Sequence, residues 1–121
     1  MVIERDERPW GHYEVVDAGN GFQVKRICVV PGGRLSYQRH RHRSEHWFVI
    51  SGEGLVTVDD VDRPVGAGGT VDIPLGSAHR VRNVGGTELV FIEVQTGAHI
   101  SEDDTERLHD DYGRDVGSAP S

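Results

Sequence analysis

Apolar and polar positions alternate along most of this chain in short runs. The runs read His12–Val16, Phe22–Val30, Arg34–Gln38, Trp47–Ile50, Leu55–Asp59, Thr70–Ile73, His79–Asn83 and Glu88–Thr96. Turn residues bound them: AGNG at 18–21, PGG at 31–33, SGEG at 51–54, GAGG at 66–69, PLGS at 74–77 and NVGG at 83–86. About eight short strands separated by regular turn signals predict an all-β sandwich or barrel. One helical signal stands apart. Ser101 can cap, Asp104 follows three residues later, and Arg107 comes after a turn crowded with acids. That pattern predicts one or two helical turns at about 102–109. Residues 115–121 are expected to fray, which leaves one domain over 1–121 with its core at about 8–114.

Composition narrows the class. At 121 residues the chain is one domain, able to hide about two thirds of its unfolded surface. Its 36% hydrophobic and 27% charged residues, with 16 glycines, read as a turn-rich soluble domain. No apolar run of about 18 residues exists to span a membrane. The opening MVIERDERPW lacks a signal-peptide apolar region, and a cytoplasmic location is expected. The single cysteine, Cys28, permits neither an internal disulfide nor a thiolate zinc site, and in its apolar strand it reads as a small buried hydrophobe. A net charge of −7 argues against nucleic-acid and anionic-membrane partners.

The charge is uneven. No acid occurs between Asp17 and Glu45, a stretch holding Lys25, Arg26, Arg34, Arg39, Arg41 and Arg43. Arg80 and Arg82 form a second basic group, and seven acids crowd the tail from Ser101 onward. One reading is a site for a small anion such as a phosphate. The other is that these arginines are solvated and paired with the acidic tail.

The densest chemistry lies in GGRLSYQRHRHRSEHW, residues 32–47. Gln38, His40, His42, Glu45 and His46 can all ligate metal. Strand alternation would put Gln38, His40 and His42 on one face and Arg39, Arg41 and Arg43 on the other. A later strand brings His79. Two spacings recur: Gly32-x5-Gln38-x-His40-x4-Glu45-x6-Gly52, and Gly68-x5-Pro74-x-Gly76-x2-His79-x3-Asn83. These resemble the two motifs of the cupin family, except that Gln38 stands where a histidine usually stands. The resemblance implies a jelly-roll barrel, a double-stranded β-helix, with one divalent metal held by Gln38, His40, Glu45 and His79. Such N/O donors suit Zn²⁺, Mn²⁺, Fe²⁺, Co²⁺ or Ni²⁺. A competing registration uses His40, His42, His46 and His79. In a third reading the histidines fill a polar lumen without metal.

Further pieces narrow the resemblance. RPWG at 8–11, QVKRICVVPGGRLS, QRHRHRSEHW at 38–47, IPLGSAHR at 73–80, IEVQTG at 92–97 and EDDTERLHDDYGR at 102–114 are similar to the C-terminal isomerase domain of type II phosphomannose isomerases. Those enzymes usually also carry a mannose-1-phosphate guanylyltransferase, for which this chain shows no Gly-rich nucleotide loop and no room. The resemblance implies metal-dependent interconversion of mannose 6-phosphate and fructose 6-phosphate without guanylyltransferase activity. A non-catalytic sugar-phosphate-binding module is the alternative, and a metal-dependent oxygenase a third.

Aldose–ketose isomerisation needs a base for the carbon-bound proton and an electrophile for the developing oxyanion. His46, His42 and Lys25 are the proton-transfer candidates, Lys25 being alternatively a snorkelling surface residue. Arg43, Arg107 and Arg114 are the phosphate candidates. Trp10 and Tyr13 can stack on a sugar, whereas Trp47, followed by Phe-Val-Ile, reads as core. Exposed sheet edges make a homodimer the expected assembly.

Overall fold

A computed structural model describes residues 2–113 of the chain. Arg114 and the expected frayed tail at 115–121 lie outside them. Two antiparallel sheets form the fold. The first, six-stranded, contains β1 (Glu4–Arg8), β2 (Gly11–Gly19), β3 (Phe22–Val29), β5 (Arg43–Ser51), β8 (Thr70–Ile73) and β10 (Leu89–Gly97). The second, five-stranded, contains β4 (Tyr37–His40), β6 (Glu53–Val58), β7 (Val61–Gly66), β9 (His79–Asn83) and β11 (Thr105–His109). Their orders are β1-β2-β3-β10-β5-β8 and β11-β4-β9-β6-β7. No helix among the described residues is long and apolar enough to cross a membrane.

The all-β expectation holds, with three strands that the pattern did not show. β1 reads ERDER and β7 reads VDRPVG. Both are edge strands, where charge and proline are tolerated because one backbone edge faces water. The third, β11, occupies the segment expected to be helical. Only Glu102–Asp104 forms a 3-10 turn, with Ser101 Oγ accepting the Asp103 N–H at 3.3 Å. The capping expectation is therefore right and the helix is not. Residues 105–109 pair instead with β4, opposite His40, Arg39, Gln38 and Tyr37. Asp104 is drawn the same way: its carboxylate accepts the backbone N–H groups of Arg41 and His42 at 3.1 and 2.9 Å. Backbone pairing over five residues outweighs the weak propensity of a two-turn helix.

The sheets face each other, and alternation sorts their side chains. On β10, Leu89, Phe91, Glu93 and Gln95 point inward; on β5, Arg43, Glu45, Trp47 and Val49; on β3, Lys25, Ile27 and Val29. Register aligns like with like on most rows, with Glu93 opposite Trp47 at the boundary. Phe91 lies opposite Ile27 and Val49, whereas Glu93 lies opposite Lys25 and Gln95 opposite Glu45. The interior is thus apolar at one end and polar at the other. Val29, Val49, Val56, Val81, Leu89 and Phe91 belong to the apolar half, with Trp47 stacked on Phe91 at 4.6 Å between ring centroids.

The four glycines of the two spacing motifs, Gly32, Gly52, Gly68 and Gly76, all take positive φ. Gly52 shows why: at φ 90° a Cβ there would also sit 2.6 Å from the Glu88 carbonyl oxygen. Asn83 closes the second motif. Its buried amide donates to the Val29 and Thr87 carbonyls, each at 2.8 Å, and accepts the Gly85 N–H at 2.9 Å.

Candidate functional site

The polar half of the interior opens into a pocket lined by His40, Glu45, His79, Lys25, Glu93 and Arg43, among others. Three elements build its floor. His40 ends β4, Glu45 lies on the inward face of β5, and His79 begins β9 after the Pro74–Gly76 turn. One donor atom from each of His40, Glu45 and His79 lies within 4.8 Å of the others. All three residues are buried.

The tautomers follow from the partners. Arg43 Nη2 lies 3.1 Å from His40 Nε2 and can only donate, so Nε2 accepts and the His40 proton sits on Nδ1, 3.4 Å from Thr105 Oγ1. His79 Nδ1 faces the Ser77 carbonyl at 3.1 Å and must donate to it. Both Nε2 atoms are therefore unprotonated and lie beside Glu45, at 3.3 Å from Oε2 for His40 and 3.6 Å from Oε1 for His79. Burial, reinforced by the Arg43 charge and by His79, pushes the His40 imidazole down to about 2. Burial pushes His79 down as well. Two unprotonated imidazole nitrogens clustered with a carboxylate fit a divalent cation, which would take the place of the Arg43 donor at His40 Nε2. Glu45 is held in place by the Trp47 indole N–H at 3.0 Å and by Arg43 Nε at 3.0 Å.

Gln38 lines the same pocket and stands opposite His79 across β4–β9 and opposite Arg107 across β4–β11. Arg107, Gln38 and His79 thus form one row on the wall. His40, Glu45 and His79 are brought together, and Gln38 lines the same pocket with its amide Nε2 donating to the Ser36 carbonyl at 3.4 Å.

The competing four-histidine set is not. Strand β4 ends at His40, and residues 41–42 form a bend before β5. This break resets the alternation. His42 points outward, 54% exposed, with Nδ1 against Asp104 at 2.9 Å. Arg43, expected outside, points inward and is 5% exposed. His46 lies on the outer face of β5, between inward Glu45 and Trp47, paired with Asp72 across β5–β8. The structure therefore takes His42 and His46 out of reach of the pocket as proton-transfer groups.

Lys25 is inside, 5% exposed, with Nζ 4.0 Å from the Tyr13 ring centroid. Trp10 and Tyr13 are buried in the pocket wall and in the core behind it. Arg43 lines the floor, its guanidinium engaged by Glu45 and His40, which is a counter-ion's position rather than that of a phosphate anchor at the mouth. Trp47 is core, as read, and also fixes Glu45.

Sequence reasoning missed several lining residues. Glu93 is buried opposite Lys25; burial, with the nearby Glu45 carboxylate adding to it, pushes its carboxyl up to about 8. Strand parity on β10 could have found it. Arg8 and Arg80 also line the pocket. Arg80 Nη2 is buried and has no hydrogen-bond partner among the described residues, as has Ser36 Oγ. Elsewhere the solvated reading of the basic stretch is correct: Arg34 pairs with Asp111, and Arg39 with Glu106 at 2.8 Å.

Comparison with known proteins agrees with this fold. The family model described as mannose-6-phosphate isomerase C-terminal matches residues 3–110. The alginate biosynthesis protein AlgA of Pseudomonas aeruginosa is 52% identical over 107 residues, which cover 88% of this chain and 22% of that protein. This chain thus spans about a fifth of the length of the curated relatives it matches. A crystal structure from Klebsiella pneumoniae with a double-stranded β-helix domain aligns at TM-score 0.68 and 25% identity, over 73% of this chain and 77% of that one. A putative sugar phosphate isomerase from Acidithiobacillus ferrooxidans aligns at TM-score 0.59 and 27% identity, over 63% and 50%. The fold is the cupin double-stranded β-helix, and the chain belongs to the mannose-6-phosphate isomerase C-terminal family.

Proposed function

We propose that this domain is a metal-dependent aldose–ketose isomerase that interconverts mannose 6-phosphate and fructose 6-phosphate. The observation that carries the reading is the buried His40–Glu45–His79 cluster, with neutral imidazoles, at the floor of a pocket whose wall holds Arg80 and Arg107. Gln38 completes the proposed donor set. A divalent cation held there would polarise the sugar oxygens on which negative charge develops.

The rest falls to the chain. Arg107 and Arg80 bind the phosphate; the buried Arg80 Nη2 and Ser36 Oγ offer donors to an anionic, hydroxyl-rich ligand. Trp10 and Tyr13 form the apolar wall against the sugar carbons. Proton transfer between C1 and C2 falls to Lys25 and Glu93, which face each other across β3–β10 and border the pocket. Pushed up to about 8, Glu93 can hold or release a proton near neutral pH. Arg43 keeps Glu45 oriented. The closed apolar half of the interior excludes water from behind.

The test is turnover of mannose 6-phosphate by purified protein, stripped of metal and reloaded separately with Zn²⁺, Mn²⁺, Fe²⁺, Co²⁺ or Ni²⁺. Activity should depend on metal and vanish in His40→Ala and His79→Ala. Lys25→Met should bind metal normally while losing about 10²–10⁴ in kcat. If no metal restores turnover to folded protein but mannose 6-phosphate still binds, the domain is a sugar-phosphate-binding module.

A further inference from the structure

We propose that His12, Cys28 and Glu88 form a second cation site, on the outer face of the six-stranded sheet, that takes a zinc-class divalent ion. It is independent of the isomerase reading. One donor atom from each residue lies within 4.8 Å of the other two. Donors bound tetrahedrally to one zinc at 2.0–2.3 Å stand roughly 3.3–3.8 Å apart, so small side-chain rotations close the site.

Strand register explains the cluster. His12 on β2 lies opposite Cys28 on β3, and Val90 on β10 lies opposite Cys28 from the other side. Glu88 precedes Val90 by two residues and shares its face, which makes it a diagonal neighbour of Cys28. Diagonal positions are about 7–8 Å apart at the backbone, a gap a glutamate side chain spans. Cys28 is 6% exposed, yet it lies outside the apolar core, because its strand neighbours Ile27 and Val29 are the ones that point inward.

The donor set is one thiolate, one imidazole and one carboxylate. One cysteine excludes an all-thiolate centre but not this mixed one. Two anionic donors balance a divalent charge, and Arg26 beside them is already neutralised by Glu14. Thiolate selects a softer ion than the N/O floor of the pocket does. A bound ion would staple β2, β3 and the start of β10.

The two sites separate spectroscopically. Titration of the reduced full chain with Co²⁺ should give a near-ultraviolet thiolate-to-cobalt charge-transfer band, which a site of nitrogen and oxygen donors cannot produce. The band should persist in His79→Ala, disappear in Cys28→Ser, and be bleached by Zn²⁺. His12→Ala and Glu88→Ala should each raise the Co²⁺ concentration needed by about tenfold or more. Absence of the band at saturating Co²⁺, or its survival in Cys28→Ser, overturns the proposal. If Cys28→Ser does not fold, the other two variants decide: wild-type titrations in both overturn it equally.

Discussion

Removing Arg43 tests the electrostatics of the pocket floor most directly. Its guanidinium is 5% exposed and donates to a Glu45 carboxylate that is 2% exposed, at 3.0 Å. Arg43→Met keeps much of the volume and deletes the charge. Breaking a buried pair leaves its partner uncompensated, which costs about 3–5 kcal/mol. Glu45 retains the Trp47 N–H at 3.0 Å, so the lower half of that range is expected. With an unfolding entropy of about 2.1 cal/mol/K per residue, a chain of 121 residues loses roughly 4 °C in Tm per kcal/mol. Arg43→Met should therefore melt roughly 12–16 °C below wild type without metal. A double-mutant cycle with Glu45→Gln isolates the pair. The double variant should be more stable than Arg43→Met alone by about 1 kcal/mol or more, since no buried charge is then stranded. A divalent ion supplies the missing positive charge, so Zn²⁺ should raise Tm more in Arg43→Met than in wild type. An apo Tm within about 3 °C of wild type, or equal Zn²⁺ shifts in both proteins, would refute the reasoning.

Other outcomes follow from the same geometry. His40 is held down at about 2, below its unfolded value, so its contribution is present above about pH 6.5 and is lost as pH falls towards 2. Glu93 is held up at about 8, so its contribution is present below about pH 4.5 and is lost as pH rises to 8. Denaturation of the apo protein across pH 4–9 should show both limbs, with Glu93→Gln flattening the alkaline one; an unchanged alkaline slope counts against the assignment. Gly97→Ala would place a Cβ 2.0 Å from the His42 carbonyl oxygen, where only backbone can yield, and should cost at least about 2 kcal/mol in urea unfolding. Asn83→Leu removes two donors at 2.8 Å and should cost about 2–3 kcal/mol without changing metal stoichiometry.

Much of this protein is legible in its sequence because its signals are local. Period-two alternation and turn residues mark β2, β3, β6, β8, β9 and β10, since side-chain direction in a strand is set by parity alone. The spacing from Gln38 to Glu45 and the placement of His79 carry the family resemblance that implies the proposed donors, because each spacing fixes residues on one or two short elements. What the sequence leaves open is non-local. Whether His42 or Arg43 faces inward depends on a bend at 41–42 that Asp104, 62 residues beyond His42, holds by accepting two backbone N–H groups. Residues 105–109 are strand and not helix because β4 offers them an open edge. Glu93 joins Lys25 only through the β3–β10 register, and Cys28 meets His12 and Glu88 only through β2, β3 and β10 together. Composition and spacing name the chemistry; strand pairing between distant segments decides which side chains face one another and which face water.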